Sequence, residues 1–175
     1  TLAVASGGNG TVAKSPDQAL YNHGTTVTLT ALPAMGYHLE EWSGDLTGFD
    51  NPATLVMDAN KSVFAAFAIN TYTLTVDVTG SGTVTKSPNQ GLYTHGTVVM
   101  LTAVPATGWH FTGWAGDTTA ATNPLPITMT RNRALTATFA INTYTLNVAA
   151  TGSGFVQVDP EQAVYPHGTT VTLTA

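Results

Sequence analysis

An all-β chain made of tandem 72-residue units is what the sequence predicts, and three observations predict it. The first is repetition. Tyr21 to Asp45, YNHGTTVTLTALPAMGYHLEEWSGD, returns from Tyr93 to Asp117 as YTHGTVVMLTAVPATGWHFTGWAGD, and its opening returns from Tyr165 to Ala175 as YPHGTTVTLTA, 72 residues further on each time with no insertion or deletion. The second is an apolar period of two within each copy, and the third is composition: roughly a fifth of the residues are Thr, which suits strands and disfavours helix interiors.

The middle copy shows the elements in order. From Thr71 to Val78, Tyr72, Leu74, Val76 and Val78 share one face, while Thr73, Thr75 and Asp77 share the other, as a half-buried strand requires. Gly80-Ser81-Gly82 turns the chain into a second strand, Thr83 to Lys86. Gly96 marks a sharp turn before a third, Thr97 to Ala103, whose Val99, Leu101 and Ala103 match Val27, Leu29 and Ala31 and also Val171, Leu173 and Ala175. Pro105 and Gly108 close that strand; Trp109 to Trp114, Leu125 to Thr130 and Ala134 to Ile141 read as the fourth, fifth and sixth. Tyr37 and Leu39 alternate but Trp42 follows at a spacing of three, which calls for a bulge or a short helical turn in HLEEW and HFTGW.

The buried parity switches from Phe67 and Ile69 to Tyr72 and Leu74 at Asn70-Thr71, and the same slip recurs at Asn142-Thr143. The unit boundaries are therefore placed at 1–70, 71–142 and 143–175, the last being the N-terminal part of a third unit. No Gly/Ser-rich or Pro-rich linker separates the units, so stiff joints are expected. A compact 72-residue unit adds on the order of 30 Å of reach.

Composition removes several function classes. Zero cysteines exclude a disulfide scaffold and thiolate chemistry, and five Lys and Arg in a chain of net charge −5 leave no basic patch for nucleic acid. No apolar run approaches the ~20 residues of a membrane span. The chain lacks an initiator Met and a signal-peptide pattern, and is expected to be a piece of a longer protein.

The stretches TYTLTVDVTGSGTV, YTHGTVVMLTAVPATGWHFTGWAGD and NPLPITMTRNRALTATF carry Tyr-x-x-Gly-Thr, Pro-x-x-Gly-aromatic, Trp-x-Gly-Asp, Asn-Pro, Met-x-x-Asn and a final Phe. In this combination the chain resembles the divergent internalin B-repeat modules, also called bacterial repeat domains, of large bacterial surface and secreted proteins. The resemblance covers both full copies and the partial third. It implies tandem units outside the cell, a small β-rich fold related to the β-grasp, a spacer or adhesive role, and no enzymatic activity. HLEEWSGDLTG and HFTGWAGDTTA depart from the helix of some β-grasp relatives, being rich in Gly and Thr.

Candidate ligands do not survive comparison between copies. His23, His95 and His167 share one repeat position and His38 and His110 another, but the nearby Glu40 becomes Thr112. Of the oxygen donors Asp45, Asp50, Asn51 and Asp58, the second copy keeps only Asp117 and Asn123. No metal, no cofactor and no catalytic residue is expected. Trp42 and Trp114 suit a core better than a sugar platform, because a small unit needs large buried side chains.

Recognition is expected where copies differ: Leu46, Phe49 and Asp50 in LTGFD, against TTAAT in the second copy, with Phe64 and Met100 on outward parity. The leading expectation is a stiff extracellular spacer whose partners are the neighbouring units. The alternatives are an adhesive module that holds glycan or protein through residues 46–50, and a segment of a self-assembling fibre that meets other copies of itself.

Overall fold

A computed structural model describes residues 1–175, as strands and turns with no helix. It divides into two compact units: 1–72 with 92–97 and 129–131, and 73–91 with 98–128 and 132–175.

In the first unit the strands are β1 (Leu2–Gly7), β2 (Gly10–Ser15), β3 (Thr25–Pro33), β4 (Tyr37–Gly44), β5 (Ala53–Met57) and β6 (Lys61–Ile69). They form two three-stranded sheets, in the orders β2-β3-β5 and β1-β6-β4. The turn at Gly8-Asn9 sends the chain from one sheet to the other. All pairings are antiparallel except β1 with β6, which runs parallel from Leu2↔Lys61 to Gly7↔Ala66. First and last strands of the copy thus lie side by side, so the sheet closes only when the whole copy is present. Val27, Leu29, Ala31, Leu55 and Met57 from one sheet meet Trp42, Val63, Ala65 and Phe67 from the other in one buried cluster. At about 25 cal/mol per Å² of apolar surface, these side chains supply the main stabilisation of a unit with no disulfide.

The second copy repeats the plan with β8 (Leu74–Thr79), β9 (Gly82–Ser87), β11 (Val98–Pro105), β12 (Trp109–Gly116), β13 (Leu125–Thr128) and β14 (Arg133–Ile141), in sheets β9-β11-β13 and β8-β14-β12. Val99, Leu101, Trp114, Leu135 and Phe139 are buried as their counterparts are. The irregularity expected in HLEEW and HFTGW is a β-bulge in both copies, between Leu39 and Glu41 and between Phe111 and Gly113, which brings Trp42 and Trp114 onto the inner face.

Two details differ from the sequence reading. The strand expected over Thr71 to Val78 is two strands, because β7 (Thr71–Tyr72) pairs antiparallel with β10 (Tyr93–Thr94) and only from Leu74 does the chain join β14. Its burial also fades from Leu74 to an exposed Val78 as β8 nears the turn at Gly80; Ser6 holds that place in the first copy. Tyr93 is fully buried beside β7, and Tyr21 is half-buried.

Residues 143–175 form β15 (Thr143–Tyr144), β16 (Gln157–Asp159), β17 (Tyr165–Pro166) and β18 (Thr172–Thr174). Residues 146–151, which correspond to β8, make no strand, and Leu146, Val148 and Val156 line an open cavity of about 310 Å³. In the other two copies the corresponding strands, β1 and β8, pair parallel with the last strand of their copy.

Candidate functional site

The polar residues shared by the copies are occupied by backbone. Trp42 Nε1 donates to the Asp50 carbonyl at 2.8 Å and Trp114 Nε1 to Thr122 at 3.0 Å, so each indole is buried with its donor satisfied. Asp45 Oδ2 accepts the Ser62 N–H at 2.6 Å, and Asp117 Oδ2 accepts that of Ala134 at 2.8 Å. Asn60 Oδ1 accepts from the amino group of Thr1 at 2.7 Å, as Asn132 Oδ1 accepts from the Thr73 N–H at 3.0 Å. The Gly24 N–H donates to the Met57 carbonyl and the Gly96 N–H to that of Met129, both at 2.8 Å. Trp-x-Gly-Asp, Met-x-x-Asn and Tyr-x-x-Gly-Thr are thus instructions for folding.

The repeated histidines have a different place. In the first unit the Asn70 N–H donates to the Gly36 carbonyl, and the Asn70 carbonyl accepts the N–H of His95, both at 2.8 Å. His38 Nδ1 meets Asn70 Oδ1 at 2.8 Å, and Tyr72 lies beside the His95 ring with centroids 6.0 Å apart. Gly36 has φ of +79°, and a Cβ there would collide with the His95 ring, so the imidazole lies against bare backbone. The second unit repeats the set: Asn142 between Gly108 and His167, both hydrogen bonds 2.8 Å, His110 Nδ1 at 2.7 Å from Asn142 Oδ1, and Tyr144 beside His167. Sequence reasoning found the repeat-locked histidines and the parity switch at Asn70, but did not join them. The signal was their constant co-occurrence with Gly36 and Gly108. No three His, Asp or Glu side chains gather as metal ligands.

The proposed contact residues are spread over the fold. Leu46 packs against the core, which leaves Phe49, 76% exposed, as the apolar tip of its loop. Asp50 is exposed, and its carbonyl holds Trp42. Phe64 stands on the outer face of β6 with its ring over Gly7, and Met100 on the outer face of β11, in the other compact unit. Lys61 pairs with Asp58 at 2.8 Å and lies 3.9 Å from Asp45; its hydrogen bond to Asp58 raises the lysine and lowers the carboxyl.

No helix is long and apolar enough to cross a membrane. No curated protein and no solved structure matches the chain. The family profile described as the divergent InlB B-repeat domain matches residues 1–71 and again residues 72–143, and the chain belongs to that family as a tandem pair of its repeats.

Proposed function

We propose that the chain is a non-catalytic module of a bacterial surface or secreted protein, outside the cell, where it serves as a stiff spacer whose partners are the neighbouring repeats. The observation that carries the reading is Asn70: the residue that links one copy to the next is bonded through its N–H, its carbonyl and its side chain, and Asn142 repeats this. A flexible tether leaves such groups to water. The absence of catalysis is supported by the use of Asp45, Asn51, Asn60 and their counterparts as hydrogen-bond partners of main chain.

The test exploits the lack of cysteine. Spin labels on Thr54→Cys and Thr128→Cys, both outward-facing, report the distance between the two copies. A single narrow distribution is expected. A broad one, typical of beads on a string, removes the spacer reading.

An adhesive role is the second reading, and exposed Phe49 favours it, since the second copy has Ala121 there. A glycan or protein ligand held by this loop would be released by Phe49→Ser; a ligand indifferent to that change binds elsewhere or not at all.

A further inference from the structure

The two histidine positions of the repeat have no part in the core, yet His95 and His167 meet matching neighbours, and so do His38 and His110. We propose that they form a lock that recognises the following repeat: Gly36, His38, Asn70 and Tyr72 are the receptor, and His95, in the Tyr-x-His-Gly-Thr segment of the next copy, is the key. The partner recognised is a repeat of this kind with a planar ring at the third position of that motif. This rests on the spacer reading and names the residues that would set its joints.

Two observations carry the assignment. First, the fit is steric. Gly36 lies under the ring, where any side chain would displace it, and Gly108 lies under His167 in the same way. Second, the ring acts through its faces. His95 Nδ1 is buried with no hydrogen-bond partner, so the imidazole is not held there by a polar bond from that atom, and Tyr72 flanks it at a tilted 57°. A ring packed on backbone and on another ring contributes by contact area and is replaceable by another planar ring.

The lock also explains why Asn70 is held on three sides. With the His95 ring seated, the His95 N–H faces the Asn70 carbonyl, and His38 fixes the Asn70 side chain from the opposite end. A short two-residue ladder such as β7-β10 is marginal alone. Side-chain packing at its end supplies what the ladder lacks.

The experiment compares His95→Ala, His95→Phe and His23→Ala in the 175-residue chain, reading amide exchange at Asn70 and residue 95 together with the Thr54–Thr128 spin distance. His95→Ala should speed exchange of those two amides by about tenfold or more while the amides of β3 and β6 keep their protection. His95→Phe should restore slow exchange, and His23→Ala should leave both amides as they were. Equal effects of His95→Ala and His23→Ala, or no rescue by Phe, overturn the lock. The spin distances separate the two ideas. Amides that respond to His95→Ala in a chain whose distances are already broad retain the lock and refute the spacer. Amides that do not respond, in a chain with narrow distances, retain the spacer and refute the lock.

Discussion

Asn51 pairs with Ala31 as one strand pairs with another: its Nδ2 donates to the Ala31 carbonyl and its Oδ1 accepts the Ala31 N–H, both at 2.9 Å. Asn123 does the same for Ala103 at 2.8 and 2.9 Å. The β3-β5 ladder ends at Leu29↔Ala53, just where Pro52 has no N–H to give, and the side chain carries the pattern one step further. Asn51→Ala leaves a donor and an acceptor unpaired beside the core, and should cost about 2–3 kcal/mol in urea unfolding. Asn51→Asp should also destabilise, since a carboxylate cannot donate to the Ala31 carbonyl. A loss within experimental error would mean that water replaces the side chain.

Trp114 is the largest buried side chain of the second copy and also a donor to Thr122. Trp114→Ala should cost about 3–5 kcal/mol, as truncation of a buried aromatic does. A protein that kept its melting temperature would place the indole outside the core.

Leu46 and Phe49 lie three residues apart in one loop and should behave oppositely. Leu46→Ala should destabilise, because the side chain leans on the core, while Phe49→Ser should stay within about 0.5 kcal/mol of the parent. The reverse ranking in thermal unfolding would show that the loop is turned the other way.

The Asp58–Lys61 pair gives a pH dependence of defined sign. The hydrogen bond and charge of Lys61 lower the carboxyl of Asp58, so its stabilisation is present above the ordinary carboxylate pKa of about 4 and is lost as pH falls through the lowered value. The raised Lys61 contributes below the ordinary lysine pKa of about 10.4, and that contribution is lost as pH rises through the raised value. Asp58 is exposed and Lys61 only partly buried, so the effect is small and salt-sensitive. At pH 7 and low salt Asp58→Asn should melt slightly below the parent, and the two should converge at about pH 2 or in 1 M salt. A difference that persists in acid would show that Asp58 acts through something other than its charge.

The sequence by itself determined the period, the strands and most of the core, because a repeat compares each residue with its own copy, and alternation is a local property of a pleated strand. It also marked the bulge in HLEEW, since Trp42 fell off the parity of Leu39. What only the tertiary structure decided was which strands lie side by side. Nothing local tells that Leu2–Gly7 runs parallel to Lys61–Ile69, because that pairing joins the two ends of a copy and depends on chain entropy and on closure of the whole core. The same holds for His95 and Gly36, almost sixty residues apart. The sequence showed two recurrent residues, and the fold supplied the contact between them, because a glycine is a binding surface only once another segment has been brought against its backbone.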